Sequence, residues 1–161
     1  MAILVESGRA AVATAISNQP IHLAWGSGEP AWDAVVNGQP EDVGSTKLVN
    51  ELGRRTVTQK QYCTPKADGE IIVSQGRFTR SVVPTKYLYL RFAFDFNDAA
   101  QADIRELGIF VGSTTVAKPA TTDYYLPSEV TDQGQLLVSE NIDKLTRSQQ
   151  IRQQFEFVIQ F

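Results

Sequence analysis

IRELGIF, residues 104–110, sets an arginine beside a glutamate in a run that is otherwise apolar and carries one glycine. In an extended chain successive side chains point to opposite faces. Arg105, Leu107, Ile109 and Val111 then share one face, and Ile104, Glu106, Gly108 and Phe110 share the other. Both faces are mainly apolar, which predicts a strand at the centre of a sheet. Charges on such a strand must be paired, because an unpaired buried charge is strongly unfavourable. Arg105 faces away from Glu106, so the expected partner of Glu106 is another base, with Arg54 and Arg55 the candidates. Gly108 leaves room for a neighbouring side chain or backbone. The stretch reads as a registration device in the core rather than a catalytic dyad.

The flanking sequence supports a β-rich chain. YLYLRFAFDF, residues 87–96, alternates Leu88, Leu90, Phe92, Phe94 and Phe96 against Tyr87, Tyr89, Arg91, Ala93 and Asp95. The final stretch sets Phe155, Phe157, Ile159 and Phe161 against Glu156, Val158 and Gln160. Strands with one apolar face need a second layer to cover it. RTVTQKQYCT is β-branched and polar, and ADG marks a turn before EIIVS. Helical spacing of Val5, Val12 and Ile16 predicts an amphipathic helix over residues 4–17, with Ser7 a candidate cap and Asn18 its end. STKLVNELG, residues 45–53, reads as a second short helix capped by Ser45 or Thr46 and closed by Gly53. Between them, GSGEPAWDAVVNGQPEDVG, residues 26–44, is a long irregular loop, and long loops in compact domains are often functional. The fold class expected is mainly β: a single-domain antiparallel β-sandwich spanning residues 1–161, with one or two short helices near the N-terminus.

Composition narrows the function. The chain has 161 residues, 42% hydrophobic and 20% charged, with net charge −3, which suits a globular domain and not one that grips nucleic acid through phosphates. No apolar run approaches the roughly 18 residues of a membrane span, and the early Glu6 with no basic start argues against a secretion signal. His22 and Cys63 are the only residues of their types, so multi-histidine metal sites and disulfides within the chain are out of reach. His22, in IHLAW, reads as a partly buried strand residue. GSG at 26–28 lacks the third glycine of a phosphate loop. Asp95, Asn97, Asp103 and Glu106 match four positions of a calcium loop, but Ala99 and Ala100 stand where that loop needs an oxygen ligand and a glycine. Acidic pairs such as Asp95 with Asp98 or Glu41 with Asp42 are too common to indicate a glycosidase. No enzyme, cofactor or metal is expected. What stands out is surface: Trp25 and Trp32 flank the glycine-proline loop, and Tyr124 and Tyr125 precede Leu126 and Pro127. Loop aromatics commonly anchor protein interfaces.

IRELGIF resembles the REIGIF/REIGLF signature of the N-terminal module of bacteriophage tail-collar fibres and related tail-fibre-attachment and baseplate proteins. LAWGSGEPAWD is similar to that family's apolar strand running into a glycine-aspartate loop, and STKLVNELGRR to its TALVNEVYR segment. IDKLTRSQQIRQQFEFVIQF resembles its closing strand, so the likeness covers roughly residues 21–161. Such fibres continue into a shaft and receptor-binding tip, whereas this chain stops at Phe161, which suggests an attachment module alone. The resemblance implies a non-enzymatic virion protein that docks a fibre or neighbouring subunit onto the tail. It implies multiple symmetric copies in the particle, other tail, baseplate or fibre subunits as partners, and assembly in the host cytoplasm. The alternative is a carbohydrate-binding β-sandwich module stacking sugars on Trp25 and Trp32.

Overall fold

The computed structural model describes residues 1–119 and 121–161. The chain is mainly β, built on antiparallel sheets with one α-helix near the N-terminus, as expected. It forms two compact units: the first contains residues 1–19, 57–92 and 154–161, the second residues 20–56 and 93–153.

The first unit carries helix α1 (Glu6–Ser17), strands β3 (Gln59–Pro65), β4 (Ile71–Val73) and β5 (Gly76–Ser81), and all of β6 (Tyr87–Phe94) and β12 (Gln153–Gln160) except Ala93, Phe94 and Gln153, which fall in the second unit; the sheet order is β12-β6-β3-β5-β4. The alternation of residues 87–94 works as read: Leu88, Leu90 and Phe92 are fully buried on one face. Across the strand pair Tyr62 lies opposite Leu88 and Lys60 opposite Leu90, so both share that face. Helix α1 lies over it. The Tyr62 hydroxyl donates to Thr14 Oγ1 at 3.1 Å, and Lys60 Nζ donates to the Ser17 carbonyl. The helix begins after Val5 with no side-chain cap, so Ser7 does not cap it, and it closes at Asn18. On the opposite face Cys63, Ile71, Phe78, Tyr89 and Val158 form a compact apolar cluster. Phe96 falls beyond the end of β6 and is exposed, unlike the four alternating residues before it. In β12, Val158 is the buried residue, while Phe155, Phe157 and Ile159, and Phe161 just after the strand, are half-buried, because this strand is at the edge of its sheet.

The second unit carries β1 (Ile21–Gly26), β2 (Glu51–Thr56), β7 (Asp103–Val111), β9 (Tyr124–Tyr125) and β11 (Gln135–Thr146), in the order β11-β7-β1-β2-β9. A small pair, β8 (Thr114–Thr115) with β10 (Val130–Asp132), adjoins the chain of this unit. IRELGIF lies in β7, hydrogen-bonded on both sides and buried from Ile104 to Val111. All six residues of β1 are buried too, including His22 as expected. Gly108 admits Leu48 and Leu136: a Cβ there would lie 2.9 and 3.0 Å from their methyl carbons. Leu48 packs with Ala24 and Phe110 into a small core on that face.

Residues 45–53 are not the second helix the sequence suggested. Residues 45–50 run through bends into β2, and Gly53 pairs with Trp25 in the sheet instead of ending a helix. Two tertiary contacts override the helical pattern. Leu48 is drawn into the core, and the amides of Val49 and Asn50 are taken by Glu106.

Candidate docking site

The two charges of IRELGIF fix the excursion that leaves the sheet at Gly26 and returns at Asn50. Glu106 lies directly opposite Gly26 in the β1–β7 register and is almost fully buried. Its carboxylate accepts three backbone N–H groups: Gly28 at 3.2 Å, Val49 at 2.9 Å and Asn50 at 2.8 Å. It therefore joins the outgoing and returning ends of the excursion. Asn50 Nδ2 also donates to Ser27 Oγ, and the Ser27 amide to the Asn50 carbonyl at 3.0 Å. Gly26 is required by this closeness, since a Cβ would overlap the Glu106 carboxylate and sit 2.7 Å from the Asn50 carbonyl oxygen.

Arg105 works from the other face of the same strand. Its guanidinium is bidentate to Asp33, Nε to Oδ1 at 2.7 Å and Nη2 to Oδ2 at 2.9 Å, and Nη1 donates to the Ser27 carbonyl at 3.1 Å. This fork geometry is the strong form of a charge pair. The hydrogen bond and charge of Arg105 hold the Asp33 carboxyl below the usual range and push the Arg105 pKa up. Asp33 sits in a short 3-10 helix, Pro30–Ala34, started by the proline. Gly28, at φ 52°, lies under the ring of Trp32, so only glycine suits both its backbone and the space above it. Beyond this clamp the excursion turns outward and exposes Val35, Val36 and Val43, with Val36 84% exposed. Large apolar side chains left in water on a loop whose base is held by buried charges are a feature of protein-docking surfaces.

The predicted partners of Glu106 are engaged elsewhere. Arg54 is bidentate to Glu51, at 2.8 Å for both contacts, donates to the Gln133 carbonyl and stacks 4.2 Å above the Phe110 ring. Arg55 pairs with Asp98 at 2.7 Å, so Asp98 is a structural anion rather than half of an acidic pair. Glu106 is held by backbone amides, which no single residue in the sequence announces. With both its oxygens so committed, it is also withdrawn from the calcium-loop spacing. Asp33 escaped the sequence reading; its one signal was that Arg105 needed an anion on its own face and this acidic loop offered several.

The four aromatic candidates divide. Trp25 is fully buried in β1, stacked on Phe94 with centroids 3.7 Å apart, and its Nε1 donates to the Tyr124 hydroxyl at 3.0 Å. It cannot anchor a partner without unfolding β1, a correction to its reading as a loop residue. Tyr124 and Tyr125 are half-buried in β9 against Arg55 and Arg54. Burial pushes the Tyr124 hydroxyl up to about 12, and Tyr125 meets the His22 ring edge-on at 5.9 Å. Trp32 alone stays on the excursion, half-buried over Gly28. The exposed tryptophan pair that a sugar-stacking platform needs is not formed. His22 contacts Ser113 Oγ at 2.7 Å, and burial lowers its pKa to about 4. Burial raises the Cys63 thiol to about 11, far from a reactive thiolate.

Among curated proteins none matches the chain. One family model does, over residues 1–161, and it describes a baseplate wedge 3 tail fiber network component. The chain belongs to this family of structural proteins of the phage tail baseplate.

Proposed function

We propose that the chain is an adaptor of the tail-fibre network that docks a fibre or a neighbouring baseplate subunit through the tip of the Gly26–Asn50 excursion. Membership of the family gives the structural baseplate role, the virion location and association with other tail and baseplate subunits. The observation that supports the finer reading is the double clamp: buried Arg105 and Glu106 hold a loop whose outer residues Val35, Val36 and Val43 are left in water. A loop held this firmly loses little entropy on binding, so more of the contact energy appears as affinity. The two compact units act as one attachment module, present in multiple symmetric copies and built into particles in the host cytoplasm. No catalytic role enters this reading.

The test replaces residues 35–43 with a glycine-serine linker of equal length. The variant is expected to fold and to be missing from purified particles. Incorporation at the wild-type level would exclude the excursion as the docking element.

A further inference from the structure

The two five-stranded sheets end in β4, β9, β11 and β12. Folded proteins guard such edges, because a row of unpaired N–H and C=O groups invites another chain. β4 and β9 are guarded by shortness, at three and two residues. β11 is guarded by two breaks of register and by Glu140, Asp143 and Lys144. β12 has eight residues, neither lysine nor proline, and Glu156 as its one charge. Of these four edges it is the long one left unguarded.

The Phe161 amide, just past β12, donates to the Lys86 carbonyl at 2.9 Å. In an antiparallel ladder alternate residues turn their N–H and C=O groups to the same side. Phe157 and Ile159 then bond toward β6. Glu156, Val158 and Gln160 turn theirs to the outer edge, where the sheet has no further strand. The side chains alternate as well. Phe155, Phe157, Ile159 and Phe161 are half-buried on one face, where Phe157 meets Phe92 edge-on at 6.2 Å. Val158 is buried on the other, in the cluster with Cys63 and Tyr89. Residues 155–161, FEFVIQF, also have the same chemistry read from either end. About Val158, Phe157 is matched by Ile159, Glu156 by Gln160 and Phe155 by Phe161.

We infer that β12 pairs antiparallel with β12 of a second copy of this chain, about a twofold axis through Val158, so that the two sheets become one. That register sets Val158 opposite Val158, and an aromatic or aliphatic residue opposite its like at Phe157 with Ile159 and Phe155 with Phe161. It sets Glu156 opposite Gln160, whose amide can donate to the carboxylate. Centring the axis on Phe157 would set Glu156 against Val158, and centring it on Glu156 would set two carboxylates against each other. A strand from a different protein would not require β12 to mirror itself, whereas a contact between identical surfaces does. The joined sheet ends in β4 on both sides, and three residues are too few to extend it, so association stops at two copies. This goes beyond the docking role of the excursion, which belongs to the second unit and uses other residues.

Sedimentation of the full-length chain over a concentration series should show monomer and dimer and no larger species. Gln160 is exposed, so substitutions there should leave the thermal transition unchanged, while the twofold axis repeats each effect on the contact. Gln160→Glu sets carboxylate against carboxylate and should weaken the dimer about tenfold. Adding Glu156→Gln to that variant should restore it, and Gln160→Lys should tighten it. In a mixture of labelled and unlabelled chains, isotope-filtered spectra should connect the α protons of Phe157 and Ile159 between copies, as the close pairs of this register require. A chain still monomeric at millimolar concentration would overturn the inference. So would a dimer indifferent to Gln160→Glu, not restored by the second change, or weakened alike by glutamate and lysine. In particles, a photo-reactive residue at Gln160 should yield an adduct of twice the chain's mass. An adduct with a different protein alone would overturn the choice of partner. The docking role of the excursion is decided separately, by the replacement of residues 35–43.

Discussion

Replacing Glu106 by alanine should be among the most damaging single changes in the second unit. The carboxylate is 2% exposed and accepts three amide N–H groups. Hydrogen bonds to a charged group contribute about 1.5–3 kcal/mol each, and a buried donor left unpaired costs about 1–3 kcal/mol. Gly28 is buried, whereas Val49 and Asn50 are exposed enough for water to replace part of what their amides lose. The loss is then about 3–5 kcal/mol, a large share of the stability of an ordinary domain. Glu106→Gln should cost less, about 1–2 kcal/mol, because one oxygen remains for Gly28 and Asn50 while the new amide faces the Val49 N–H. Denaturant unfolding of the three proteins gives the ranking. Amide hydrogen exchange gives the location, since the N–H groups of Gly28, Val49 and Asn50 should exchange much faster in the alanine variant. A midpoint loss below about 1 kcal/mol with those amides still protected would refute the idea that Glu106 ties the excursion to the sheet.

The remaining expectations concern other parts of the same unit. Trp25→Ala should destabilise by about 3–5 kcal/mol, as large aromatic truncations in cores do, while Trp32→Ala should leave the thermal transition nearly unchanged; equal effects in calorimetry would mean that their burial is misassigned. Gly53→Ala should cost about 1–3 kcal/mol, because a methyl would overlap the Tyr124 hydroxyl that receives the Trp25 bond; loss of the near-ultraviolet signal of Trp25 would accompany it. The His22 pKa, lowered to about 4 in the fold, lies below its unfolded value near 6.5, so the unfolded chain binds more protons between those limits. Stability should therefore fall by about 3 kcal/mol as pH drops from 6.5 to 4, and His22→Gln should remove that part of the slope without adding one above pH 7. An unchanged slope in the variant would put the titrating group elsewhere.

Much of the sheet architecture was legible because alternation is a property of the residues themselves. Strands β6 and β7 could be read from the spacing of Leu88, Leu90, Phe92 and of Ile104 to Val111, and so could the centrality of β7. β12 was legible as a strand but not as an edge, since burial on both faces depends on neighbours that no local pattern records. The helix at residues 45–53 failed because its pattern was real but weak, and Leu48 with Glu106 outbid it through distant contacts. Trp25 was misread because β1 is buried on both faces: in IHLAWG nothing alternates, so loop and core look alike. The charge pair of IRELGIF was recognised as structural, while its partners were not. Backbone amides carry no residue letter, and Asp33 is one acid among several in its loop.

Site-specific crosslinking in assembled particles tests the docking role most directly. A photo-reactive residue at Val36, on the excursion, is compared with one at Ile72 on β4, which is also exposed and lies in the first unit. Docking by the excursion requires irradiated particles to yield a discrete adduct from position 36 with another tail or baseplate subunit, in amounts that Glu106→Ala diminishes. Adducts from Ile72 alone, or from neither position in particles that contain the protein, would contradict it.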